Sequence, residues 1–167
     1  MITQEWLKTY FKYMKGNLYQ IKNYNQSTTT RKLFKPVGCL DDGYLITIIE
    51  GKKFRVSHLI WLYKKGTLPP KGKILDHKNL KRNDNRIVNL RLATRAENNR
   101  NRDGFKRVSK FKGVSKNSQS KNFAATIAVD RKKIHIGSFD TEEKAAVAYN
   151  KAARKFHGKF ARLNKIK

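Results

Sequence analysis

The stretch Lys78–Val88 is polar and carries no hydrophobic period, and it stands between two short apolar runs, Ile74-Leu-Asp-His77 and Asn89-Leu-Arg-Leu-Ala93. A pattern of this kind reads as strand, loop, strand. Thr94-x-x-Glu97 follows directly as a capping box, which opens a helix. The first strand spans Ile74–Asp76 with His77 at its end, and Asn98 falls in the first turns of the helix. One strand–loop–strand–helix run therefore carries Asp76, His77, Asn89 and Asn98.

The rest of the chain organises around this run. Trp6, Leu7, Tyr10, Phe11 and Met14 recur at helical spacing, and the polar run Asn25–Thr30 reads as a loop. Asp42-Gly43 precedes the β-rich run Tyr44–Ile49. Glu50-Gly51 is a turn and Lys53–Val56 a return strand, together a hairpin. Residues 58–65 suit a short helix ending at Gly66, and Pro69-Pro70 force an extended connection. Residues 1–103 thus form one unit and 104–110 a linker. In residues 111–167, Lys112–Lys116, Phe123–Val129 and Lys133–Phe139 read as three strands, with turns at Asn117–Ser120 and Asp130-Arg131. A helix follows at about 141–157, capped by Asp140 with Glu143, buried along Ala145, Tyr149, Ala152 and Phe156, and stopped at Gly158. The expected class is α+β, ending in a small three-stranded antiparallel sheet packed on one helix.

Charge narrows the partner. The chain has 39 Lys and Arg against 12 Asp and Glu, a net charge of +27. The excess is shared, with net +14 over residues 1–103 and +13 over 104–167. Such self-repulsion opposes compaction unless a polyanion relieves it by counterion release. Double-stranded DNA is the expected partner of both parts. A membrane surface fits less well, because no long basic amphipathic helix is present. No apolar run reaches the roughly 18–20 residues of a membrane span, and the N-terminal residues lack an apolar leader core. The lone Cys39 forms no internal disulfide and provides no multi-cysteine zinc site. The expectation is a cytoplasmic protein, neither secreted nor membrane-bound, with no small-molecule substrate.

The strand–loop–strand–helix residues suit phosphodiester hydrolysis. That reaction needs a base for water, a cation for the leaving oxygen, and positioning. A neutral imidazole at His77 can take the water's proton. Asp76 and Asn98 offer hard oxygen ligands suited to one divalent cation, Mg²⁺ or Mn²⁺. An Asn side-chain carbonyl can hold an imidazole N–H and fix its tautomer, a role available to Asn89. Arg95 reads equally as a contact to the scissile phosphate or as a residue lining DNA. His58, beside Leu59-Ile60-Trp61, reads as structural, while His135 and His157 read as local structure or phosphate contacts.

Asp76-His77, with Asn89 12 residues after the histidine and Asn98 9 residues after Asn89, resemble the HNH endonuclease motif in the Asp-His…Asn…Asn form of phage and intron-encoded homing endonucleases. Val56-Ser-His-Leu-Ile-Trp61, Asn83-Asp-Asn-Arg-Ile-Val-Asn-Leu90 and Asn98-Asn99 extend the resemblance, which is strongest over residues 54–102. It implies a ββα-metal fold, with His77 as general base, Asn89 orienting it, and Asp76 with Asn98 on one divalent cation. It also implies cleavage to a 5′-phosphate and a 3′-hydroxyl. The cysteine pairs that hold a structural zinc in many relatives are missing from this sequence, so none is expected.

Residues 110–164 resemble the ethylene-response-factor (APETALA-two type) DNA-binding domain. The matching text is Phe111-Lys-Gly-Val114, Phe123-Ala-Ala-Thr-Ile127, Ile136–Ala146, Ala148-Tyr149, Ala152-Ala153 and Gly158-x-x-Ala161-Arg-Leu-Asn164. The resemblance implies a sheet laid in the major groove with Lys112, Lys116, Lys121, Phe123, Thr126, Arg131 and Lys133 toward DNA. Phe123 stands where the family usually has Trp, and lysines replace several arginines, which favours phosphate gripping over base reading.

The resulting expectation is a metal-dependent homing endonuclease that nicks or cuts duplex DNA as a monomer or weak dimer. The alternatives are a non-catalytic DNA-binding regulator with a decayed nuclease unit and, last, a general RNA or ribosome binder. Tandem aromatics of the kind that stack single-stranded bases do not occur in an exposed pattern here.

Overall fold

The computed structural model describes residues 2–24, 33–102, 109–116 and 121–166. The loop expected at Asn25–Thr30, the turn at Asn117–Ser120 and residues 104–108 of the expected linker lie outside them. The chain falls into two compact units, residues 1–95 and 96–167. Both mix helices with small antiparallel sheets, and no helix among the described residues is long and apolar enough to cross a membrane.

The first unit opens with helix α1 (Gln4–Tyr10), whose N-cap Thr3 accepts a hydrogen bond from the Trp6 amide. The helix ends sooner than the spacing of Trp6 to Met14 suggested. Phe11–Met14 is strand β1, paired with β2 (Asn17–Gln20). The reason is the two-residue turn between them. Lys15 and Gly16 both take positive φ, 46° and 87°, which matches the twist of a tight hairpin. Gly16 is also required sterically, since a Cβ there would lie 2.8 Å from the Arg86 side chain and 3.0 Å from its amide nitrogen.

Strands β3 (Cys39–Asp41), β4 (Tyr44–Ile49) and β5 (Lys52–Arg55) form an antiparallel sheet in that order. Two-residue turns at Asp42-Gly43 and Glu50-Gly51, again at positive φ, set its registers. Helix α2 (Val56–Lys65) follows without a loop and ends on left-handed Gly66. Its buried face, with Val56, Leu59, Ile60 and Leu62, packs with Leu7, Phe11, Leu18 and Ile49 into the core. The Gln4 side chain donates to the Tyr63 carbonyl at 2.9 Å and ties α1 to α2. Then come β6 (Ile74–His77), a 3₁₀ turn at Ile87–Asn89, and β7 (Leu90–Ala93), which pairs with β6 so that Asp76 faces Arg91 and His77 faces Leu90. The Tyr13 hydroxyl accepts from the Ile87 amide and anchors the turn.

Helix α3 (Arg95–Asn101) begins at the unit boundary. The second unit holds β8 (Val114–Lys116), β9 (Phe123–Val129), β10 (Lys132–Phe139) and helix α4 (Glu142–His157), with sheet order β10-β9-β8 and antiparallel pairing throughout. Asp130-Arg131 makes the β9–β10 turn at positive φ without a glycine. Ala125 and Ile127 of β9 are buried and alternate with half-buried Thr126. Small residues let α4 lie close on the sheet. Ala145, Ala146, Tyr149 and Ala153 are buried, as are Asn150 and His157, whereas the expected Phe156 is 40% exposed. Gly113 is where the approach is tightest, since a Cβ there would stand 2.1 Å from the Tyr149 ring. Burial pushes the Tyr149 phenol up to about 12. The cap of α4 is Thr141, which accepts from the Lys144 amide. Asp140, the expected cap, instead pairs with the Lys144 ammonium at 2.7 Å, one turn being satisfied by two adjacent acceptors.

Candidate active site and nucleic-acid interface

The chemistry-bearing residues of the first unit converge on the β6–β7 hairpin. Asp76 and His77 end β6 and are only 3% and 6% exposed. A buried carboxylate needs compensation. Asp76 receives it from Arg91, its cross-strand neighbour, whose Nε donates to Asp76 Oδ2 at 2.7 Å. His77 Nε2 lies 3.0 Å from Asn85 Oδ1. An amide oxygen accepts, so this contact calls for the hydrogen on Nε2. Asn85 is itself 1% exposed, and its Nδ2 is buried without a hydrogen-bond partner.

Asn89 does a different job from the one expected of it. Its two amide hydrogens go to Asn79 Oδ1 (3.0 Å) and the Asp84 carbonyl (2.8 Å), and its Oδ1 accepts from the Asn79 amide (3.1 Å). Asn89 therefore staples the loop that carries Asn85, and the imidazole is held by Asn85. The sequence reading missed this because an aperiodic loop gives no signal of which of its asparagines turns inward. Asp84 completes the loop by accepting from Arg86 Nε and Nη2 and from Asn79 Nδ2. The Arg86 guanidinium holds its carboxyl well below the usual carboxylate range.

His58, on α2, is half-buried, with Nδ1 3.5 Å from the Ser57 hydroxyl. Burial lowers its pKa first, and the charges of Arg55 and His77 lower it further. The imidazole read as structural thus shares an electrostatic environment with His77. The Tyr44 ring centroid is 6.1 Å from that of His77. Arg91, Asn85 and Tyr44 are not among the site residues expected from the sequence. Only Arg91 had a latent signal, as a basic residue on the strand opposite Asp76.

Asn98 is half-buried on α3 and Arg95 is exposed at its start. Among the described residues, no group of three or more His, Cys, Asp and Glu side chains is arranged to hold a metal ion. Of the two expected cation ligands, Asp76 is a buried carboxylate on β6 of the first unit and Asn98 a half-buried amide on α3 of the second.

In the second unit, Lys116, Lys121, Arg131 and Lys133, four of the residues expected toward DNA, are exposed. Two of the expected contacts are half-buried. Phe123 packs against the cluster of Phe111, Val114, Ala125, Ala145 and Ala146. Lys112 is half-buried, and its ammonium donates to the carbonyls of Arg100 and Arg102 at the end of α3. These carbonyls lack intrahelical partners, so a lysine there satisfies them. Thr126, Arg131 and Lys133 line an open concavity of about 920 Å³ together with Lys112 and Arg100. His135 is exposed. His157 is buried, with Nε2 2.9 Å from the Ala128 carbonyl, and burial followed by the charges of Arg100 and Lys112 holds its pKa below the ordinary value despite that bond.

A hairpin that buries an oriented histidine beside a carboxylate, followed by a short helix, is the setting in which the comparisons with known proteins fall. Residues 54–100 match the HNH endonuclease family, whose nucleases generally use a divalent metal ion. The chain is also 33% identical over 124 residues to a protein of Acanthamoeba polyphaga mimivirus named as an uncharacterised HNH endonuclease. That similarity covers 74% of this chain and 64% of the viral protein.

Proposed function

We propose that this chain is a metal-dependent HNH endonuclease of the homing type, which binds duplex DNA and hydrolyses its phosphodiester bonds to a 5′-phosphate and a 3′-hydroxyl. The observation that carries the proposal is the buried His77 imidazole. It is fixed through Nε2 by Asn85, within the segment that matches the HNH endonuclease family. In this reading Nδ1 of His77 takes a proton from the attacking water. Asn85 holds the ring in the tautomer that leaves Nδ1 basic, and Asn89 keeps Asn85 in place by fixing the loop. Arg91 holds the buried Asp76 carboxyl in place through the Nε–Oδ2 hydrogen bond. By the HNH resemblance, Asp76 and Asn98 are the residues expected to hold a divalent cation, which when bound supplies charge stabilisation for the leaving oxygen. Arg95 lines the DNA path.

The second unit serves as the reader or grip. Its exposed Lys116, Lys121, Arg131 and Lys133 neutralise phosphates, in keeping with the ethylene-response-factor resemblance. One hydrolytic centre per chain makes nicking by a monomer the simplest outcome. The test is incubation of duplex DNA with the protein and Mg²⁺ or Mn²⁺, with His77→Ala alongside. New ends that a ligase can reseal, present with wild type and lost in the variant, are the expected result. Cleavage that survives in His77→Ala would overturn the assignment.

A further inference from the structure

We propose that Tyr44, Arg55 and Arg82 form a grip for backbone phosphates of the DNA strand presented to His77. The grip rests on the nuclease reading for its substrate. Three elements meet here: the start of β4, the residue that caps α2, and the β6–β7 loop. In the β4–β5 register Ile46 faces Arg55, so Tyr44, two residues back on the same face, is the diagonal neighbour of Arg55. The Arg55 guanidinium carbon sits 4.2 Å from the Tyr44 ring centroid and that of Arg82 sits 5.0 Å from it. One aromatic ring thus gathers two guanidinium groups that would otherwise repel each other.

The charge around the ring is not balanced. Among the described residues Arg55 has no carboxylate partner, and it contributes to lowering the His58 pKa. Arg82 pairs with Asp42 at 3.0 Å, but both side chains are largely exposed, so the pair is weak and open to exchange. Asp42 also accepts from Arg82 through its backbone carbonyl, which keeps the guanidinium aimed after an exchange. Guanidinium groups bind phosphate oxygens through paired N–H donors. The ring that holds them is 6.1 Å from the His77 ring, centroid to centroid. A phosphate gripped here therefore belongs to the stretch of strand offered to the imidazole.

The test measures binding of the full chain to a random-sequence duplex in EDTA, between 50 and 200 mM salt. Each phosphate contact contributes about 0.9 to the log–log salt slope, so losing one shrinks the affinity drop across this fourfold range about 3.5-fold. Arg55→Gln and Arg82→Gln should each show that change, and the double variant about 12-fold. Asp42→Asn keeps a residue suited to its positive φ of 46°. It removes the competing carboxylate and should tighten binding. Arg55→Lys keeps a charge and should retain the wild-type slope. A double variant with unchanged thermal unfolding and a wild-type slope would overturn the grip. The assay reads no cleavage, so it stands whether or not His77 is a base. Conversely, loss of cutting in His77→Ala with an unchanged slope in the double variant keeps the nuclease reading and removes this one.

Discussion

The β6–β7 hairpin and the C-terminal sheet use polar residues in opposite ways. In the hairpin the polar side chains are inside: Asp76, His77, Asn85 and Asn89 are all less than a tenth exposed, and each answers another group in the loop or across the strand. In the sheet the inside is made of alanines, Ile127 and Phe111, while Lys116, Lys121, Arg131 and Lys133 point to solvent. A reaction at one atom demands fixed, desolvated groups. Holding a polyanion demands only charge at a surface, and every charge counts about equally. Changes in the hairpin should therefore be large and coupled, and changes in the sheet small and additive.

The strongest way to break that contrast is Asn89→Leu. It leaves the Asn79 amide and the Asp84 carbonyl without partners, and the first unit should lose about 3 kcal/mol in denaturant unfolding. A loss under about 0.5 kcal/mol, the range of ordinary surface changes, would mean that the loop does not depend on it. Asn85→Ala comes next. Its amide already carries one unpartnered buried nitrogen, so stability should change little, while cleavage should fall about 10- to 100-fold, as when a group orienting a functional histidine is removed. Equal losses of stability and rate would make Asn85 merely structural.

The second unit should respond to pH through His157. Its folded pKa lies below the ordinary 6.5, so between the two values the unfolded chain binds the proton that the folded one refuses, and stability rises with pH there. The unit should be fully stable above that ordinary value and weaken as pH falls through it. Thermal unfolding of His157→Gln should show a flatter profile, and an unaltered profile would assign the titration elsewhere. Thr141→Ala should cost about 1 kcal/mol through loss of the α4 cap, whereas Asp140→Ala should cost less, because Thr141 holds the helix amide. Least of all, Lys116→Gln, Lys121→Gln, Arg131→Gln and Lys133→Gln should each leave stability within about 0.5 kcal/mol. Each should still reduce the salt slope of DNA binding by about 0.9. A sheet variant that unfolds the unit would erase the distinction between the two regions.

Much of this layout was legible where one local signal sufficed. The apolar runs flanking Lys78–Val88 gave both strands of the hairpin, and Thr94 with Glu97 gave the start of α3. Gly66 and Gly158 gave the ends of α2 and α4. Legibility failed where two signals competed or where distance decided. Phe11–Met14 satisfied a helical spacing, yet Lys15-Gly16 turned it into a strand. Asp140 and Thr141 are both good caps, and only one could serve. The facing of Asp76 and Arg91 depends on a register that a long loop leaves open. Asn85 could not be told from Asn83 or Asn89 before the loop closed. Lys112 and Phe123 are assigned to DNA by resemblance, which gives no sign that the Lys112 ammonium bonds backbone carbonyls or that Phe123 packs beside a core cluster.

The central claim is that the buried, oriented imidazole at residue 77 is the centre of a DNA-cutting site. The most direct measurement sequences every new DNA end formed in mixed phage and bacterial genomic DNA with Mg²⁺ or Mn²⁺, for wild type and His77→Ala in parallel. The account predicts ends clustered at a few positions, each with a 5′-phosphate and a 3′-hydroxyl, and none of them in the variant. The same ends in both samples, or tight duplex binding with no ends in either, would contradict it.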